Sequence, residues 1–321
     1  MFHYYLSICC VLNNICTTNK TTAKYRKKAW KLLVGMREND VIPELKLCRT
    51  RSKDELEWES TSHSSLPMDE NEEKKSESVL VSEDLIRRDA GRSVIFHFND
   101  IDDNDNNPKI TSISPPYASE RLTRVLVNTI NQENTHLYYY QGFHDVAGVI
   151  LHHVEYDEVL TTEILKQISR SHLRDAMKEN FSQISWLLSV LLPPLVEKID
   201  PFVSYALLLS QVDLATICLP WIITWFAHDI HDPVIAGNLF DAFLSGHPLM
   251  PIYFAIALIT HPILKKDILE ADSHDPASFF MLIKVLPLKI KSKQRGNNPH
   301  HQGRQITVSL QEILEDSISI M

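Results

Sequence analysis

Apolar residues recur at intervals of three and four over most of this chain, and no stretch shows the alternation of a half-buried strand. Between residues 20 and 34, Tyr25, Ala29, Leu32 and Leu33 share one helical face opposite a run of lysines, and Gly35 follows as a stop. A solvated basic face accounts for that pattern. Arg26 and Trp30, four apart, lie on adjacent turns of the same helix. A second helix is predicted within 82–98, with Leu85, Ile86 and Ala90 on one face and Glu83 and Asp84 in the first turn, where the helix dipole favours acids. Asp89 and Arg92 stand three apart beside that face, so the carboxylate is placed to hold the guanidinium. Leu122, Leu126 and Ile130 mark a third helix over 119–132. Beyond residue 143 the pattern is helical almost throughout. Asp200-Pro201, Asp232-Pro233 and Asp275-Pro276 each set a capping aspartate before a proline suited to a first helical turn. Gly246 is placed to end the helix that starts at Pro233. Two strongly apolar runs, 205–226 and 251–260, fall short of the roughly 18 uninterrupted apolar residues of a spanning helix. Both read as buried core helices. The pattern predicts one all-α domain over 22–288.

Composition changes the picture in four places. Residues 1–21 are apolar but lack a basic leader and a cleavage site, so they read as an N-terminal extension rather than a signal peptide. Residues 49–82 are polar, charged and nearly free of aliphatics, which predicts a disordered insertion. The acidic run from Asp100 resembles a calcium loop, but its sixth position is Asp105 rather than glycine and its twelfth is Thr111 rather than glutamate, so the EF-hand pattern fails. From 289 to 321 the chain reads as a flexible tail. A net charge of -9 lacks the basic footprint of a general nucleic-acid binder. The five cysteines include no CxxC pair, which fits a reducing compartment without a zinc site or disulfide framework.

The densest chemistry lies in Tyr138 to Asp145, YYYQGFHD. Gly142 lets the backbone approach a ligand closely, and the amide of Gln141 can orient a water without deprotonating it. The plain alternative is an aromatic helix start with a polar cap. His144-Asp145, with His152, His153, His228 and His231, raises a metal-dependent HD-type phosphohydrolase as another possibility, at spacings that are not diagnostic.

Four stretches occur together in one order: Arg26 to Trp30 as RKKAW, Ile86 to Arg92 as IRRDAGR, Tyr139 to Gly142 as YYQG, and Ser245 to Pro251 as SGHPLMP. In this the chain resembles the TBC domain family, GTPase-activating proteins for Rab GTPases. The resemblance implies an all-α TBC-type domain and a site made of Arg92, an arginine finger, and Gln141, which replaces the GTPase's own glutamine. It further implies that Asp89 orients Arg92, and that Tyr139, Gly142 and Asp145 support the glutamine. GTP and magnesium would then belong to the partner, and the chain would carry no cofactor of its own. YYQGFHD, SRSHLRDAM, WIITWFAHDI and HPLMPIYFA are similar to a branch that acts on Rabs of the early secretory pathway. That implies a cytoplasmic place at ER and Golgi membranes, reached through the Rab. Members of that branch carry a C-terminal anchor, and none is seen in these residues. Two departures from the family are SVIFHF after Arg92 and the long insertion before Ile86. An inactive Rab-binding scaffold of the same fold is the remaining alternative.

Overall fold

The structure is a computed structural model that describes residues 22–36, 83–93, 115–131, 137–272, 274–291 and 307–321. The expectations for the extension 1–21, the insertion 49–82 and the acidic loop at 100–111 lie outside the described residues. The helices are α1 (Thr22–Leu33), α2 (83–92), α3 (Pro115–Ile130), α4 (Phe143–His153), α5 (Glu158–Arg170) and α6 (Ser182–Ile199). They continue as α7 (Pro201–Ser210), α8 (Leu214–Ile223), α9 (Pro233–Ser245), α10 (Met250–Thr260), α11 (Lys265–Glu270), α12 (Pro276–Lys284) and α13 (Leu310–Ile320).

Aspartate caps set several boundaries. Asp200 accepts from the Phe202 and Val203 amides, Asp232 from Val234 and Ile235, and Asp275 from Ser278, each just ahead of a proline in the first turn. Asp157 and Asp213 cap α5 and α8 in the same way. Each such cap satisfies an amide that the helix cannot, a contribution of about 1 kcal/mol. Asp200 also binds Lys265 Nζ at 2.5 Å, so the corner between α6 and α7 is tied to α11.

Helix α10 is apolar on every side and all of it except Tyr253 is buried, as such a helix must be. Helices α6, α8, α9 and α13 pack around it. A second group forms where α3, α4 and α5 pack together and α1 lies across α4 and α5. Helix α9 joins the groups, touching α1 and α4 on one side and α10 on the other.

Four local expectations are corrected. The run 205–226 is two helices, not one: Gln211 takes a left-handed φ of 54° and Asp213 starts a new cap, so α7 and α8 meet at 109°. Nor is all of it core, since Tyr205 and Leu208 of α7 are 61 and 74% exposed, as is Phe202 just ahead of the run at 76%. Gly246 does not end α9 in a left-handed turn; its φ is -93°, and what it supplies is room, because a Cβ there would lie 2.6 Å from the Ala242 carbonyl oxygen. In α1 the buried residues are Arg26 and Trp30, while Tyr25 and Leu32 of the expected apolar face are half exposed. The C-terminal segment is not flexible throughout: β1 (Ile290–Lys291) pairs in parallel with β2 (Val308–Ser309), and α13 buries Leu310, Ile313 and Ser317 as it packs on α10. No single helix among the described residues is long and apolar enough to cross a membrane.

Candidate functional site

Residues 137–140 run without helix into a turn at Gln141-Gly142, from which α4 starts. The three tyrosines fasten this segment to three different places. Tyr138 N–H donates to Met177 O at 2.9 Å in the loop after α5. Tyr139 OH donates to Asp89 Oδ2 at 3.0 Å on α2. Tyr140 OH donates to Ile223 O at 2.6 Å at the end of α8, and its ring packs on Phe143 and Phe181. Burial, then the neighbouring Asp89, pushes the Tyr139 hydroxyl well above the usual phenol range, so it stays a donor to that carboxylate. After these anchors Gln141 is exposed, and its amide makes no hydrogen bond with any described residue.

Gly142 is required twice over. Its φ is 104°, which L side chains avoid, and a Cβ there would lie 2.8 Å from Thr224 Cγ2. Its N–H donates to His144 Nδ1 at 3.3 Å and its carbonyl accepts from the Asp145 amide at 3.0 Å. Backbone strain and overpacking each cost about 1–3 kcal/mol. Gly142→Ala is therefore expected to destabilise the fold by about 2–4 kcal/mol in urea unfolding. Replacing Thr224 by Ser in the same chain should recover only the steric part. A change below about 0.5 kcal/mol would mean that the turn does not hold this geometry.

Asp145 is buried. Its Oδ1 lies 3.2 Å from His144 Nε2, and its Oδ2 accepts from His228 Nδ1 at 2.8 Å. The hydrogen bond to Asp145 raises the His228 pKa from its ordinary value, against a smaller opposing effect of burial. Thus α2, the Gln141 turn, the start of α4 and the loop after α8 are linked through Asp89, Tyr139, His144, Asp145 and His228.

The supporting role expected of Asp89 is corrected. Asp89 does not hold Arg92. It is buried and turned toward Tyr139, with His144 Nδ1 4.0 Å away. Arg92, at the exposed end of α2, makes no hydrogen bond or ion pair with any described residue. The tie between α2 and the Gln141 segment is the Asp89–Tyr139 bond, three residues before Arg92 and two before Gln141. Tyr139, Gly142 and Asp145 lie in the same segment as the glutamine, bonded to Asp89, to His144 and to His228 respectively.

A separate polar cluster is buried beneath α1. Arg26 donates from Nε and NH2 to both oxygens of Asp241, at 2.7 Å for the closest pair, and from NH2 to Asn238. Trp30 Nε1 donates to Asp241 Oδ1 at 2.6 Å. His153 donates from Nε2 to Pro233 O, which leaves Nδ1 to accept from Arg26 NH1 at 3.2 Å. Burial, then the Arg26 charge, lowers the His153 pKa well below its ordinary value, so the ring stays neutral. A Cβ on Gly237 would lie 2.4 Å from His153 Nε2, so the glycine makes space for this cluster. Arg26 and Trp30 therefore clamp α1 to α9. Asp241 carried no local signal: it is 215 residues from Arg26 and stands alone in an apolar run. Nor does the sequence signal that His228 meets Asp145 or that Thr224 meets Gly142.

Among the described residues the histidines do not assemble a metal site. His153 is committed to Arg26 and Pro233, His152 Nδ1 lies 2.7 Å from Tyr156 OH, and no three of the histidine, cysteine or acidic residues described are arranged to hold a metal ion.

Comparison with known proteins agrees with this architecture. A solved structure, the Chlamydomonas flagellar RabGAP TBC domain, superposes with a TM-score of 0.52 at 13% identity, covering 92% of this chain and 79% of that one, which speaks for the fold alone. TBC1 domain family member 20 of Homo sapiens and of Bos taurus is 32% identical over 177 residues, 54% of this chain and 42% of the relative. The GTPase-activating protein gyp10 of Schizosaccharomyces pombe is 31% identical over 133 residues, 41% of this chain and 34% of the relative. The chain thus spans less than half the length of these curated relatives. The Rab-GTPase-TBC domain model matches residues 23–269, from the first turn of α1 to the end of α11, and with the site's motifs inside that span the chain belongs to the Rab-GTPase-TBC domain family.

Proposed function

We propose that this chain accelerates GTP hydrolysis on a Rab-family GTPase by supplying Arg92 and Gln141 to the partner's nucleotide. The observation that supports the reading most is the state of those two side chains. Both are exposed and have no partner among the described residues, on segments joined by the Asp89–Tyr139 bond. A free guanidinium and a free amide are what phosphoryl transfer asks for. The reaction needs charge stabilisation on the equatorial oxygens and an oriented water, and little else from the protein. Arg92 supplies the charge, and Gln141 donates to and accepts from the attacking water. Tyr139, Gly142 and Asp145 hold the glutamine's backbone, while Asp89 positions α2 against it. Nucleotide and magnesium are the partner's.

The similarity of YYQGFHD and WFAHDI to one branch of the family supports a substrate among Rabs of early secretory traffic, between ER and Golgi. On this reading the chain meets that membrane through its Rab.

A panel of GTP-loaded Rabs, followed by single-turnover phosphate release, tests the function. At least one member should be strongly accelerated, and a form of it lacking its switch glutamine should remain substantially sensitive. Binding without acceleration would make the chain a scaffold. Loss of all sensitivity in the glutamine-less Rab would reduce Gln141 to a polar cap.

A further inference from the structure

The end of α8 and the loop after it reach the Gln141 segment at three points. Ile223 O accepts from Tyr140, the Thr224 methyl fills the space beside Gly142, and His228 binds Asp145. Two consecutive aromatic residues in this loop, Trp225 and Phe226, hold left-handed φ values of 51° and 62°. Such a backbone is costly for bulky side chains and persists only where packing over-determines it. Here the packing is plain: Trp225 meets Phe240 and Phe243, and Phe226 meets Trp221 and Phe254, all buried. The strained step delivers His228 to the surface, its side chain 62% exposed, while its Nδ1 remains on an acid whose side chain is 3% exposed.

From His228 a chain of contacts leads to the residue after Gln141. His228 occupies Asp145 Oδ2, and His144 Nε2 faces Asp145 Oδ1. His144 Nδ1 lies 3.3 Å from the Gly142 nitrogen and also 3.3 Å from the Tyr139 hydroxyl, whose proton goes to Asp89; a proton on Nε2, 3.2 Å from the Asp145 carboxylate, leaves Nδ1 to accept the Gly142 N–H. The carboxylate therefore selects the tautomer that lets His144 hold the Gly142 amide, the same logic by which a carboxylate orients a catalytic or metal-bound imidazole.

We propose that His228 is a positioning residue for Gln141: by holding Asp145 it fixes the His144 tautomer and, through the Gly142 amide, the turn that presents the glutamine. This rests on the reading of Gln141 given above. The groups facing His228 favour its protonated form on balance. Asp145 does so by hydrogen bond and charge, and Asp229 by charge, while burial and Lys284 of α12 oppose them. Asp229 itself is held above the usual carboxylate range by burial, with Oδ2 unpartnered, and His231 also faces it. The sign follows from the raised value. The His228–Asp145 interaction is fully present below the ordinary histidine pKa near 6.5 and is lost as pH rises through the raised one. The grip on Gln141 therefore slackens on the alkaline side.

Two measurements test this. In the free protein, ring-nitrogen and amide NMR should show His144 protonated on Nε2, and a Gly142 amide shift that follows the His228 titration. The His228→Ala chain should lose that coupling. A Gly142 amide indifferent to the His228 titration overturns the proposal, whether or not the chain stimulates any GTPase. With a responsive GTP-loaded Rab, His228→Ala should lower kcat roughly tenfold at unchanged KM and flatten the pH profile. His228→Asn, whose amide nitrogen can take the place of Nδ1 without a charge, should recover most of kcat and stay flat in pH. A KM effect with kcat unchanged would make His228 a contact to the partner and overturn the positioning role. If no Rab responds to the wild-type chain, the proposed activity fails, and the NMR arm still decides the network.

Discussion

Arg92→Lys is expected to abolish stimulated hydrolysis and leave the fold untouched. The side chain is exposed, and no described residue depends on it, so stability has nothing to lose beyond a few tenths of a kcal/mol. The rate has much to lose. An arginine supplied in trans is worth about 10³- to 10⁵-fold, or roughly 4–7 kcal/mol of transition-state stabilisation. Lysine keeps the charge but not the planar fork, so it cannot address two phosphate oxygens at once. If Arg92 were only a surface residue of α2, its replacement would change stability by at most about 1 kcal/mol and the rate not at all. Single-turnover hydrolysis beside thermal unfolding separates the two outcomes. Gln141→Ala should behave similarly, and the double variant should cost less than the sum of the singles if, as proposed, both groups serve one transition state. Near-full stimulation by Arg92→Lys would sink the mechanism.

Asp241→Ala should have the largest effect on stability. It removes the shared acceptor of Arg26 and Trp30, taking the Asp241 carboxylate from a guanidinium that is 5% exposed. Breaking a buried pair from one side costs about 3–5 kcal/mol, because the remaining charge is not resolvated. That is a large share of the roughly 5–15 kcal/mol that holds a domain folded. Urea unfolding of Asp241→Ala measures it directly. Arg26→Met combined with Asp241→Leu removes both charges and should be less damaging than Asp241→Ala alone. It should still fall short of the wild type, since Trp30, Asn238 and His153 lose a partner. Equal destabilisation in the two variants would show that packing volume, not the unpaired charge, dominates at this site.

Arg92 and Gln141 illustrate how far local pattern reaches. Each sits in a short motif whose main-chain form is set by near neighbours: a helical turn for one, a glycine turn after an extended segment for the other. Asp89 illustrates where it stops. Three residues from Arg92, it invites an ion pair along the helix. In the folded chain a tyrosine 50 residues away takes the carboxylate, and burial makes that bond worth more than an exposed pair in water. The α1 face departs from its local pattern for the same reason. Counting lysines as the wet side assumes that an arginine among them is wet too, and Asp241, brought up by α9 with Asn238, makes burying Arg26 tolerable.

By itself the sequence determined what depends on neighbours within a turn or two. The aspartate caps before Pro201, Pro233 and Pro276 are of this kind, as are the helical periods, the wholly apolar α10 and the glycine at 142. The tertiary structure alone decided which polar groups could be buried, because an acid or a guanidinium leaves water only when a partner is delivered to it. Here those partners arrive from 50, 83 and 215 residues away, in the bonds Tyr139–Asp89, His228–Asp145 and Arg26–Asp241.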